Sequence, residues 1–223
     1  MTEPRTLLCF GDSNTWGFEP GTMARLPRHV RWPGVVAERL GDGWYVVEAG
    51  LSGRTTVFED PLDDLSGLRH LGPVLASAAP VDVVVIALGT NDLKTRMGAS
   101  AYEIAEGAGA LVDLVLASAA GPGERAPAVL LVAPPPIGGL GGWAERDPLG
   151  YEGFEEQWRE ARERSLRFAV QYARVARVRG VAFLDAGAHV LSSEIDGVHW
   201  EPEGHAAFGR AVAAAVGALA LPG

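Results

Sequence analysis

A single cysteine, Cys9, stands in 223 residues, so the chain can form neither an internal disulfide nor a multi-cysteine metal site. It falls inside an apolar run, where a small buried hydrophobe is the expected role rather than a reactive thiol. Long hydrophobic runs are missing as well. The first, residues 6–10, is too short for a signal-peptide core, and no stretch could span a bilayer, so the cytoplasm is the expected compartment and no membrane partner is expected. Excess basic charge is also lacking. A formal net charge of −9 argues against a nucleic-acid partner and against attachment to anionic lipid, both of which require a basic surface.

Several motifs are absent too. Neither Ser13 nor Ser52 sits in a G-x-S-x-G turn. There is no phosphate-loop lysine, and the glycines between Gly138 and Gly142 lack the strand-then-helix setting of a dinucleotide site. The five histidines show no metal-ligand spacing.

The length suits one domain spanning residues 1–223, and 48% hydrophobic with 21% charged residues is ordinary for a globular protein with a substantial core. Residues 6–10, 45–49, 81–88, 128–133 and 181–184 read as strands; the third is mostly β-branched with little alternation and the fourth is an uninterrupted apolar run, the pattern of strands covered on both faces. Residues 34–40 read as a short helix. Helical stripes run through Ile104, Ala105, Ala108, Leu111, Val112 and Val115, and from Phe154 through Trp158, Ala161, Ser165, Phe168, Ala169 and Tyr172. A closing helix carries Phe208, Val212, Ala215, Val216 and Leu219. This order predicts an α/β fold: a three-layer α/β/α sandwich around a five-stranded, parallel, doubly wound sheet. The irregular stretch 134–153, rich in glycine and proline, is expected to be a lid or pocket wall.

Four polar segments follow strands, three of them directly where a strand ends and the last across a short connection from the fifth. They are Gly11-Asp12-Ser13, then Gly50 to Thr56, then Gly89-Thr90-Asn91-Asp92, and finally Asp196-Gly197-Val198-His199. Taken singly each has an ordinary reading, as turn glycines and capping Asn or Asp residues. In a parallel sheet, however, all four converge on the carboxyl edge, where chemistry collects. Asp196 precedes His199 by three residues, close enough to hold one ring nitrogen in a local turn. A serine on the first turn could then act as a nucleophile, with Ser52 as its rival.

In order, these blocks resemble those of the SGNH hydrolases, or GDSL-type esterases. CFGDSNTWG, VRWPGVVAERL, EAGLSGRTT, LGTNDLK, the triple proline at 134–136, and FLDAG followed by DGVHW are similar to the aryl esterase and acyltransferase branch of that family. The resemblance implies a flavodoxin-like sheet, with Ser13 as nucleophile, His199 as general base and Asp196 as its orienting partner. It implies an oxyanion hole from the N–H groups of Ser13 and Gly53 and the Asn91 amide, and no metal or organic cofactor. Asp12, Trp16, Ser52, Lys94, Trp143 and Phe154 are expected around the substrate. The implied substrates are small carboxylic esters, with water or an alcohol as the acceptor of the acyl group. Carbohydrate deacetylation, thioester or lysophospholipid cleavage, and a binding module that kept only the fold are the alternatives. A homo-oligomer is implied, although residues 17–31 look shorter than in the acyltransferases of that branch.

Overall fold

The computed structural model describes residues 3–139 and 153–221. Five parallel strands, β1 (Arg5–Gly11), β2 (Trp44–Gly50), β3 (Val83–Ala87), β4 (Ala128–Ala133) and β5 (Ala182–Asp185), form one sheet in the order β2-β1-β3-β4-β5. All five residues of β3, VVVIA, are buried, as a β-branched run in the sheet centre requires. Side chains alternate between the two faces. Leu8, Phe10, Val84, Ile86 and Leu131 pack on one side, and Leu7, Cys9, Val83, Val85, Leu130 and Val132 on the other. Cys9 is fully buried, as its apolar setting predicts.

Helices cover both faces. The first helix, α1 (Ser13–Trp16), is a single turn at the carboxyl end of β1. It is followed by α2 (Trp32–Leu40), α3 (Gly67–Ala78), α4 (Ala101–Leu116), α5 (Phe154–Gln157), α6 (Ala161–Ser165), α7 (Phe168–Arg179) and α8 (Pro202–Gly217). A capping box opens α4: Ser100 accepts from the Glu103 N–H while the Glu103 carboxylate accepts from the Ser100 N–H. Among the described residues no helix is long and apolar enough to cross a membrane.

Two sequence expectations are corrected. The passage from the second to the third strand contains α3, which the sequence reading left without a helix. Gly67, Gly72 and Pro73 mask its stripe of buried Leu71 and Leu75, and Pro73 lies inside the helix. A parallel crossover needs such an element. The stripe from Phe154 to Tyr172 is likewise three helices rather than one. Glu160 takes a left-handed φ of 61° between α5 and α6, and Leu166–Arg167 separates α6 from α7. Its inward face holds for Trp158, Ala161, Ser165, Phe168 and Tyr172, all buried, while Ala169 is half-buried. Most of the stretch 134–153, Trp143 included, lies outside the described residues.

The chain leaves β1 toward β2 on one side and returns to β3 on the other, so the segments after β1 and β3 diverge and open a crevice between them. On the α2/α8 side the layer is closely packed. A Cβ at Gly209 would lie 2.7 Å from the Val35 Cβ and 2.9 Å from the Trp32 carbonyl, whereas one at Gly217 would meet nothing within 4 Å. Gly209→Ala is therefore expected to destabilise the protein by about 1–3 kcal/mol. Gly217→Ala is expected to be neutral or stabilising by up to about 1 kcal/mol. Denaturant unfolding of the two variants checks both signs.

Candidate active site

The first polar segment is built by close backbone packing. Asp12 caps α1 by accepting from the Asn14 N–H at 3.0 Å, and Gly17, at φ 89°, closes the turn by donating to the Ser13 carbonyl at 2.8 Å. At Gly50 a Cβ would lie 2.1 Å from the Trp16 nitrogen, so only glycine lets β2 end against this turn. Ser13 is thereby fixed at the carboxyl edge of β1 and is 5% exposed.

The last segment folds around Asp196. One carboxylate oxygen accepts from the N–H groups of Val198 and His199 at 2.8 and 2.7 Å; the other accepts from His199 Nδ1 at 2.6 Å. Ser193 closes the loop, its N–H donating to the His199 carbonyl while its carbonyl accepts from the Gly197 N–H. Burial pushes the Asp196 carboxyl up, but the hydrogen bonds from His199 and the backbone outweigh it and leave Asp196 below its ordinary range. With Nδ1–H committed to the carboxylate, His199 Nε2 is left as acceptor, and it lies 3.0 Å from Ser13 Oγ. A hydroxyl placed so can pass its proton to the imidazole as the oxygen attacks a carbonyl. Ser52 is exposed on the neighbouring turn, and the imidazole meets Ser13 instead.

The middle segments approach the same edge. Gly53 sits in a turn at φ 87°, and Asn91 Nδ2 donates to the carbonyl of Arg54 at 3.2 Å, linking the segments after β2 and β3. Of the other expected residues, Asp12 is buried beneath Ser13. Trp16 is half-buried with the Arg25 guanidinium 5.0 Å above its ring. Lys94, the only lysine of the chain, is buried with its ammonium 4.0 Å from Asp60. Burial and neighbouring Arg96 push its pKa down, against the pull of Asp60. Phe154 opens α5, and its side chain lies outside the described residues, as does all of Trp143. Among the described residues no group of three or more His, Cys, Asp or Glu side chains is placed to hold a metal ion.

Three contributors carry no assigned role in the sequence, although Arg54 and Thr56 lie within the segment Gly50 to Thr56. Phe18 stacks on the His199 imidazole, with ring centroids 4.0 Å apart and planes 25° from parallel. Arg54 is 4% exposed; its Nη1 donates to the carbonyls of Gly11 and Ala49, and its guanidinium lies 4.1 Å from the centre of the Phe10 ring. Thr56 donates through its N–H and hydroxyl to Asp92, tying the second segment to the third. His205, within α8, is a core group: its Nδ1 accepts from the Trp32 N–H, and burial, with His199 and Arg31 nearby, pushes it down to about 3.

Beneath the site the carboxyl groups are hard to ionise. Burial raises Asp12 to about 6, against the Asn14 N–H, His199 and Arg54, and raises Asp92 to about 6, against its hydrogen bonds from Thr56. A carboxyl whose folded pKa lies above its unfolded one stabilises fully at low pH, and that contribution is lost as pH rises through the folded value. Asp92→Asn is therefore expected to gain stability relative to the parent as pH rises from about 4 to about 6, with an upper bound of about 3 kcal/mol. Urea unfolding of both proteins at pH 4 and pH 7.5 checks this; a difference independent of pH would contradict it.

Residues 9–207 match the family model described as the GDSL-like lipase/acylhydrolase family. The carbohydrate acetylesterase Est24 from Sinorhizobium meliloti is 41% identical over 96% of this chain and 99% of its own, with a TM-score of 0.87. An aryl esterase from M. smegmatis is 37% identical over 96% of this chain and 99% of its own, with a TM-score of 0.88. A further carbohydrate acetylesterase family member from Sinorhizobium meliloti is 34% identical over 95% and 97%, with a TM-score of 0.86. No curated protein sequence matches. A five-stranded parallel sheet with helices on both faces, four polar segments gathered at its carboxyl edge and this matched family model identify the chain as a member of the GDSL-like, or SGNH, esterase/acylhydrolase family.

Proposed function

We propose that this esterase works through an acyl-enzyme on Ser13, formed from small aryl or short-chain acyl esters and resolved by water or by an alcohol. The observation that carries this reading is the continuous hydrogen-bonded chain from Ser13 Oγ through His199 to Asp196, at 3.0 and 2.6 Å. Ser13 Oγ attacks the ester carbonyl as its proton passes to His199 Nε2, and Asp196 steadies the imidazolium. His199 then returns the proton to the departing alkoxide or phenoxide. In the second half, water or an alcohol gives its proton to His199 while attacking the acyl carbonyl, and Ser13 leaves reprotonated.

The negative charge that develops on the carbonyl oxygen needs fixed donors. In this reading they are the N–H groups of Ser13 and Gly53 and the Asn91 amide. One Asn91 N–H is anchored on the Arg54 carbonyl, which orients the group and leaves its second N–H to donate. A second reading, removal of acetyl groups from carbohydrate, uses the same machinery and is favoured by the 41% identity to a carbohydrate acetylesterase.

Ser13→Ala is expected to abolish covalent labelling by an organophosphonate while Ser52→Ala leaves it intact; label retained on Ser13→Ala would exclude the acyl-enzyme reading. Asn91→Ala is expected to lower turnover by about a hundredfold to a thousandfold. A loss below about tenfold would remove Asn91 from the oxyanion site. Nitrophenyl esters of increasing chain length, assayed beside acetylated sugars, separate the two substrate readings. Product partitioning with added alcohol tests the acceptor, and hydrolysis unchanged by alcohol counts against transfer.

A further inference from the structure

Phe18 belongs to a hairpin that leaves the nucleophile's own turn. Its N–H donates to the Ser13 carbonyl at 3.0 Å, and it pairs in antiparallel fashion with Arg25. The Glu19 N–H donates to the Ala24 carbonyl, and the Leu26 N–H to that of Gly17. Arg25 Nε donates to the Trp16 carbonyl at 2.8 Å, and three guanidinium groups, from Arg25, Arg28 and Arg31, converge on Glu48 of β2 at 3.8, 3.0 and 3.0 Å. The hairpin is thus pinned at both ends, and the aromatic ring it carries rests on the face of His199, at a centroid distance of 4.0 Å.

Resting on the catalytic reading above, we propose that Phe18 is a positioning residue for the esterase reaction, one that also acts through the charge His199 acquires. In the resting enzyme the stack holds the imidazole edge-on between Asp196 and Ser13, leaving the His199 side chain 13% exposed. On the way to the tetrahedral intermediate the imidazole gains a proton, and the cation then lies against the electron-rich face of an aromatic ring. That attraction is stronger for imidazolium than for imidazole. An interaction that strengthens only in the transition state raises kcat and leaves substrate binding alone. An aliphatic side chain of similar bulk fills the same space without the π face.

The experiment compares Phe18→Leu, Phe18→Met, Phe18→Tyr and Phe18→Trp in the full chain, with nitrophenyl acetate as substrate and the thermal midpoint as a fold check. Leu and Met are expected to lower kcat by between about threefold and thirtyfold with KM within about twofold, while Tyr or Trp restores at least half of it. The low-field proton resonance of the His199–Asp196 hydrogen bond is expected to weaken or broaden in the Leu and Met variants and return with the aromatic ones. A kcat within twofold of the parent in Leu or Met, or failure of both aromatic replacements to restore it, overturns the proposal. If Leu does not fold, Met and the aromatic pair decide the question alone. Organophosphonate labelling of Ser13 in the parent is run alongside; its failure would count against the acyl-enzyme itself, whereas parent labelling with insensitive Phe18 variants counts only against the role of Phe18.

Discussion

A 2.6 Å hydrogen bond between Asp196 and the His199 ring decides what the rest of the site can do. It commits the proton to Nδ1 and so turns Nε2 into the acceptor that faces Ser13. The carboxylate reaches this position because its other oxygen is held by two backbone N–H groups of its own turn. The imidazole is therefore oriented locally, within four residues, and meets a serine 186 positions away in sequence. The sheet order brings the end of β1 to the crevice, and Pro202 starts α8 directly after the loop.

Buried charge under the site is managed rather than avoided. Asp12 and Asp92 are buried in the segments that follow β1 and β3, in a chain already carrying net negative charge, and burial raises both carboxyls. Arg54, brought down to about 10 by its own burial with Asp12 pulling the other way, supplies a compensating cation and spends its hydrogen bonds on strand-end carbonyls. Removing one member of such a set costs more than the set contributes, because an unpaired charge remains inside. Arg54 therefore both ties the ends of β1 and β2 together and places a cation near Asp12.

Much of this was legible in the sequence because its signals are local or periodic. Residues 128–133 are an uninterrupted apolar run, and β4 spans them without adjustment. Asp196 and His199 share a turn, so their pairing follows from a spacing of three. The choice of Ser13 over Ser52 did not follow from spacing, because neither serine is near the histidine in sequence; family resemblance and position after β1 favoured it, and the fold supplies the contact. Other features were hidden for physical reasons. Glycine and proline within α3 mimic a loop, although the crossover geometry demands a helix. Phe18 and Arg54 act through partners distant in sequence, and an aromatic or an arginine beside a turn carries no mark of where it will point.

The scarcity of lysine has a consequence of its own. Of the 19 Lys and Arg residues only Lys94 bears an amine, and it is buried three residues beyond Asn91. The surface cations are thus guanidinium groups, which keep their charge through the whole alkaline range accessible to a folded protein. Amine-directed chemistry, which ordinarily decorates a protein over its entire exterior, finds only one side-chain address in this one, buried and 4.0 Å from the Asp60 carboxylate.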